Sequence, residues 1–571
     1  MAGEPKYEAW SQEQLIARIQ ELERQIGSRD NATTTIPSQS IPTSSTSSPA
    51  PFQDLQSKST PYRKPPKAPP KPFDISKYST RLIALKFAYL GQKYNGFEHH
   101  KNNSTPLPTV EEELWKALVK TRCINPIPTK EDATDYSRKE GRTLTGWDRE
   151  GADVNWDGCE YSKCGRTDRG VSAFGQVIGV RVRSNLPKQP IGKEMSEEDG
   201  QEDASLGSEP GTPVNSFNDL TDELPYIQLL NRVLPPDIRV YAWCPNPPPN
   251  FSARFSCKER RYKYFFTNPC FAPVPGSTGI YNPLSSTPGQ ETMREGWLDI
   301  SAMKQACKSL IGLHDFRNLC KIDASKQLTN FQRRIFYADI EEVSPLAVPE
   351  FLSHSAASSG MHEQQPKTYA FVLHGSAFLW HQVRSIMALL FLIGQRLEPR
   401  SLIDQLLDIS ANPTRPKYEM ASDAPLVLWD CIFPDAHEVQ SAEDRQHGYT
   451  DRLQWVYVGD EGGVEPKSKG TAKAGGPSSA GRGKWGRAGV IDDVWEVWRR
   501  NKIDETLSAL LLDKIAGHGR ATLDSEEFES EEGGAGIARG GPRVFDGGDV
   551  GKAKGKYVQV LDRERGESVE V

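Results

Sequence analysis

Residues 161–176 read Tyr-Ser-Lys-Cys-Gly-Arg-Thr-Asp-Arg-Gly-Val-Ser-Ala-Phe-Gly-Gln. One carboxylate, Asp168, stands between two guanidiniums, Arg166 and Arg169. Flanking cations favour an ionised carboxylate, and an ionised carboxylate can act as a nucleophile or a base. The same cations can meet phosphates. A plainer reading stays open: a polar turn whose Asp168 caps its own backbone. Gly165 and Gly170 bracket the run and predict a tight loop with unusual backbone angles. Beyond it, Val180 and Val182 alternate with Arg181 and Arg183, the pattern of a strand with one wet face. The loop is therefore expected at the edge of a sheet.

Two more stretches carry reactive side chains. Residues 251–256 read Phe-Ser-Ala-Arg-Phe-Ser and lead into Glu-Arg-Arg-Tyr-Lys-Tyr-Phe-Phe at 259–266. Strand alternation puts Tyr262, Tyr264 and Phe266 on one face and Arg261, Lys263 and Phe265 on the other. An aromatic face of this kind packs a core as readily as it lines a site. Residues 377–387 open an apolar helix reaching Gly394, with Arg384 a conspicuous charge among Val383, Ile386, Met387, Leu389 and Leu390. An unpaired buried ion is costly, so Arg384 needs a partner, with Asp168 the foremost choice, or must snorkel to solvent. His314 beside Asp315 admits a catalytic pair, although a histidine capping a helix end is the simpler reading.

The run Cys-Gly-Arg-Thr-Asp-Arg-Gly-Val-Ser-Ala-Phe-Gly-Gln-Val at 164–177 resembles the catalytic loop of the TruA-type tRNA pseudouridine synthases, in the eukaryotic branch that modifies positions 38 and 39. The strand of Tyr262 and the helix of Arg384 follow in the family's order, and the resemblance extends over about residues 79–434. It implies an α+β fold: two α+β halves with a joined mixed or antiparallel sheet and a central basic cleft. It implies isomerisation of uridine to pseudouridine, with no cofactor and no metal. Asp168 would be the nucleophile, Tyr262 would line the base pocket and assist proton removal at C5, and Arg384 would pair with Asp168. Arg166, Thr167, Arg169, Arg254, Lys263 and His381 would bind substrate. The partner would be tRNA through its anticodon stem-loop, with a homodimer as a further family expectation. A sister synthase with other targets, a noncatalytic tRNA-binding protein on the same fold and a general nucleic-acid scaffold are the alternatives.

The elements that must position these residues are legible in outline. Residues 82–90 are strongly β-prone, and Gly91 to Phe97 then turn. Thr109-Val110-Glu111-Glu112 is a capping box opening a helix to Lys120. Helices are expected over 226–234, stopped by Pro235-Pro236, and over 299–311. Strands are expected at 238–243, 334–342, 369–375 and 424–431.

The chain has 571 residues, too long for one ordinary domain, and 36% hydrophobic content points to much unpacked sequence. We divide it into a short helical segment at 1–27, a disordered Pro/Ser/Thr-rich linker with a basic end at 28–78 and a catalytic domain at 79–434. That domain has insertions near 125–157, 187–224 and 346–366. The extension at 435–571 is read as mostly disordered, with an amphipathic helix at 490–516. Net charge is −6, but residues 194–223 hold ten acids and no Lys or Arg, and the rest of the chain carries +4. No apolar run approaches membrane-spanning length, and no membrane partner is expected. Nine scattered cysteines form no repeated Cys-x-x-Cys pair, so neither a zinc site nor a disulfide framework is indicated. A reducing compartment, nucleus or cytoplasm, is the simplest inference.

Overall fold

The computed structural model describes residues 75–100, 106–125, 154–187, 217–272, 296–322, 328–343, 367–440, 444–460, 484–485, 489–516, 518, 543–548, 551–553 and 556–566. The helix expected at 1–27, nearly all of the linker at 28–78, most of the insertions near 125–157 and 187–224, and 346–366 lie outside these residues.

Among the described residues ten strands form one sheet: β1 (Ser79–Tyr89), β2 (Ser162–Lys163), β3 (Ser172–Ser184), β4 (Ile238–Cys244), β5 (Glu259–Asn268), β6 (Gly312–Asp315), β7 (Gln332–Val343), β8 (Lys367–Gly375), β9 (Leu426–Ile432) and β10 (Val456–Tyr457). Their order is β10-β4-β1-β3-β9-β5-β8-β7-β6, with β2 also pairing β3. Neighbours are antiparallel except β3 and β9, which run parallel with Ser172 opposite Val427 and Ala173 opposite Leu428. That pair joins the two halves of the sheet, and the mixed α+β architecture agrees with the expected fold class. Among the described residues no helix is long and apolar enough to cross a membrane.

The Asp168 loop leads straight into β3. Because β3 lies between β1 and β9, the loop sits at the middle of the sheet and not at its edge. The start of β3 is largely buried on both faces, and alternation with half-buried arginines begins only near Arg181. The visible Val/Arg pattern therefore belonged to the far end of the strand, away from the loop.

Helix α1 (Val110–Lys120) starts at Thr109, whose hydroxyl accepts the Glu112 N–H at 3.3 Å. The Glu112 carboxylate binds Lys116 Nζ at 2.8 Å. Helix α2 (Tyr226–Asn231) packs on β4, and α3 (Ile300–Lys308) packs on β7 and on α4 (Gln382–Gly394). Every residue of α4 is buried, as expected of a helix apolar on all sides. Phe391 meets Tyr264 and Phe266 edge-on at 6.1 and 5.5 Å, so α4 covers the β5 face that carries Tyr262.

Two sequence boundaries shift. The end of the acidic insertion belongs to the fold: Arg81 donates to Asp219 at 2.6 Å and to Glu223 at 2.9 Å, and Ser184 donates to Glu223 at 2.6 Å. The extension beyond 434 also returns to the core, where Val544, Phe545 and Val560 are buried. Phe545 lies 4.7 Å from Phe391, and its N–H and C=O both bond the Gln395 side chain. A further helix spans Val490–Ala516.

Candidate active site

Asp168 is held by three layers of contacts. Gln176, fully buried on β3, clamps the start of its loop by accepting the Gly165 N–H and donating to the Gly165 carbonyl, both at 3.1 Å. The Tyr89 hydroxyl meets Thr167 Oγ1 at 2.8 Å. The turn at 94–97 closes over the loop: Phe97 N–H donates to the Thr167 carbonyl at 3.1 Å, and Gly170 N–H donates to the Tyr94 carbonyl at 3.3 Å. Gly96, at φ +84°, fits because a Cβ there would lie 2.8 Å from the Thr167 oxygen. Of the two glycines bracketing the loop, only Gly170 has a positive φ, +80°. There a Cβ would strike the Asp423 carboxylate at 2.9 Å.

From the other half of the sheet comes the start of α4. Arg384 Nη1 lies 3.9 Å from Asp168 Oδ2, and His381 Nε2 lies 3.4 Å from the same oxygen. Arg384 is aimed by Ala421, whose carbonyl accepts from Nε at 2.8 Å while its N–H donates to the Arg384 carbonyl at 3.1 Å. His381 holds the left-handed conformation, φ +60°, at the N-cap of α4. Its ring centre lies 4.6 Å from that of Trp380, and Lys321 Nζ lies 4.5 Å from the centre of the Trp380 ring.

Burial pushes the Asp168 carboxyl above its ordinary value, against the pull of Arg384, a hydrogen bond from Trp380, and Lys321. Asp423 adds to the upward push. The sequence offered Arg166, Arg169 and Arg384 as cations for Asp168; those that act on it are Arg384 and Lys321, and desolvation outweighs them. The result is a more basic carboxylate than a surface aspartate, with its side chain still 30% exposed. His381 is held down to about 4 by burial, Arg384, Lys321 and Arg415, despite the carboxylate beside it, and is neutral at pH 7. Burial raises the Tyr262 hydroxyl well above the usual phenol range, so it is a neutral phenol able to relay a proton but not a phenolate base. Its ring packs edge-on against Phe378 at 5.0 Å.

The remaining sequence candidates divide. Arg166 is exposed and pairs with Glu98 at 3.1 Å, and Arg169 and Arg254 are exposed. Thr167 is buried and spends its hydroxyl on Tyr89, so it positions the loop and does not face a ligand. Lys263 lies on the β5 face opposite Tyr262, 4.5 Å from the Trp429 ring and 3.8 Å from Glu341, which removes it from the Asp168 site. His314 lies on strand β6, with Nε2 2.9 Å from the Ile311 carbonyl, while Asp315 binds Arg317 at 2.7 Å. The pair is structural.

Sequence reasoning missed three contributors. Arg260 shares the Tyr262 face and donates to the carbonyls of Cys164, Arg254 and Ser376, each at 3.0 Å, tying the loop base to both neighbouring segments. Its parity with Tyr262 was visible, but it was hidden among charged neighbours. Gln176 acts through its side-chain amide on the Gly165 backbone and Ala421 through its own backbone groups, pairings that composition does not reveal. Cys164, Cys257 and Cys431, distant in sequence, come together beneath the loop.

A family model described as tRNA pseudouridine synthase matches residues 306–434. The tRNA pseudouridine(38/39) synthase of Saccharomyces cerevisiae is 38% identical over 436 residues, covering 75% of this chain and 72% of its own. The human protein of the same name is 36% identical over 378 residues, and the match spans 61% of its length and 66% of this chain. The tRNA pseudouridine synthase A of Methanothrix thermoacetophila is 26% identical over 366 residues, 86% of its length and 64% of this chain.

Proposed function

The chain belongs to the TruA-type tRNA pseudouridine synthases, isomerases that act on uridine in tRNA, and on that premise we propose that it converts uridine to pseudouridine at positions 38 and 39 of the anticodon stem-loop. The observation that carries the reading is the partly exposed Asp168 with Arg384 Nη1 at 3.9 Å, held from the two halves of one sheet. In the reaction the N1–C1′ bond breaks, the uracil turns, and C5 joins C1′. Asp168 is the nucleophile of a covalent intermediate or, on a glycal route, the base that takes the C2′ proton as the N1–C1′ bond breaks; either divides one difficult step into two. Its raised basicity favours attack, and the fixed guanidinium of Arg384 stabilises the carboxylate when it leaves. Tyr262 packs beside the base and relays the C5 proton through its neutral hydroxyl. Neutral His381, with Nε2 3.4 Å from the carboxylate, can donate an N–H to it without adding charge.

The target nucleotide must leave its stack, at a cost of about a few kcal/mol. Arg166, Arg169, Arg254 and Lys321 offset this by meeting phosphates around the opening. Names of the yeast and human relatives support positions 38 and 39. The test maps pseudouridine in tRNA from cells lacking this protein. Loss at 38 and 39, restored by the wild-type chain, is expected. Retention at both positions with loss elsewhere would assign other targets.

A further inference from the structure

Three cysteines from separate elements converge beneath the Asp168 loop. Cys164 precedes the loop, Cys257 lies in the turn before β5, and Cys431 is on β9. All three are buried, and their sulfurs lie within 4.8 Å of one another. We propose that Cys164, Cys257 and Cys431 form a three-thiolate site for a soft closed-shell metal ion, zinc(II) or copper(I), that fastens the catalytic loop across the junction of the two half-sheets.

The geometry suits such an ion. Metal–sulfur bonds of about 2.3 Å in a trigonal arrangement place the sulfurs about 4.0 Å apart, and a tetrahedral one about 3.8 Å. Three sulfurs already within 4.8 Å need only rotamer-scale adjustment. Thiolate-only ligation selects soft ions over magnesium, calcium or manganese. Charge also fits. Three thiolates around zinc leave one net negative charge, and the Arg260 guanidinium stands beside them, donating to the Cys164 carbonyl at 3.0 Å and to the Cys257 carbonyl at 3.4 Å. A half-buried guanidinium gains from such a counter-charge. Capture would displace one existing contact, Cys257 Sγ to the Glu259 carbonyl at 3.2 Å. The placement gives the ion a role. Cys164 belongs to the first half of the sheet, and its N–H bonds the Val177 carbonyl at 2.9 Å. Cys257 and Cys431 belong to the second half. A metal bridging them holds Gly165 and hence Asp168 at a fixed distance from Arg384.

The experiment uses full-length, tag-free protein purified without chelator. Elemental analysis is expected to find about one equivalent of zinc or copper per chain, the identity of the element separating the two sources. After removal with a chelator under reducing conditions, titration with cadmium should restore a thiolate charge-transfer band that saturates at one equivalent. Cys257→Ser and Cys431→Ser should each lower metal content at least tenfold. A variant that fails to fold leaves the wild-type cadmium titration to decide. Wild-type protein with less than about 0.1 equivalent of metal and no saturable cadmium band would overturn the proposal and leave the cluster as apolar packing. The readout is metal stoichiometry, so it is independent of where the enzyme acts on tRNA.

Discussion

Replacing Arg384 with methionine removes the guanidinium while keeping the stem that α4 buries. At 3.9 Å, two unit charges interact by about 4 kcal/mol at an effective dielectric constant of ~20. The Asp168 side chain keeps 30% exposure, so solvent screening reduces this to roughly 2 kcal/mol. Losing it raises the Asp168 carboxyl further and frees it from a fixed position. About 2 kcal/mol corresponds to roughly a 30-fold slower chemical step. The assay is single-turnover pseudouridine formation on an anticodon stem-loop RNA across a range of pH. The sign is definite. The Asp168 carboxyl is already above its ordinary 3.8, so activity falls as pH drops through that raised value. In the methionine variant this acid limb moves to higher pH. Arg384→Lys restores part of the rate, because an ammonium keeps the charge but loses the planar fork and the 2.8 Å bond to the Ala421 carbonyl. An unchanged rate and an unmoved acid limb in Arg384→Met would refute the electrostatic role.

Three other outcomes follow from the packing and titration. Gly96→Ala should slow turnover roughly 10–100-fold, because its Cβ would press on the Thr167 carbonyl and displace Asp168; wild-type single-turnover kinetics would contradict this. Phe545→Ala should destabilise the catalytic domain by about 3 kcal/mol, read as a shift in the denaturant midpoint, and deleting residues 541–571 should cost more; unchanged midpoints would mean the segment only rests on the core. His381 and His374 are both depressed to about 4, by burial first and neighbouring cations second. Their contribution to stability is complete above pH 6.5 and is lost as pH falls towards 4, since the unfolded chain takes up the protons first; a His381→Gln variant should flatten that profile, and an identical profile would exclude His381 as a source.

Much of the site could be read from the chain because its chemistry sits in contiguous runs. Asp168, Tyr262 and Arg384 each stand out against local pattern: a carboxylate between glycines, a tyrosine on an alternating strand, a charge in an apolar helix. The helix of Arg384 was legible because its apolar run is continuous, and it is indeed buried on all sides. What escaped was nonlocal. The middle position of β3 depends on the parallel pairing with β9, residues more than 240 positions away in the chain, and no periodicity encodes it. The return of Val544, Phe545 and Val560 to the core was masked by Gly-rich, charged surroundings. Arg166 and Arg169 flank Asp168 in sequence, yet the loop turns its carboxylate towards Arg384, because adjacency along a turn is not adjacency of side chains. Lys263 differs in kind: strand alternation alone sets it on the face opposite Tyr262, where it meets Trp429 and Glu341.

The most direct test of the account is Asp168→Asn, which preserves shape and removes the nucleophile. The variant should bind tRNA with nearly wild-type affinity and form no pseudouridine in a single-turnover assay, even with enzyme in large excess. Residual turnover near the wild-type rate would show that Asp168 is not the group that attacks, and the mechanism built around it would fall.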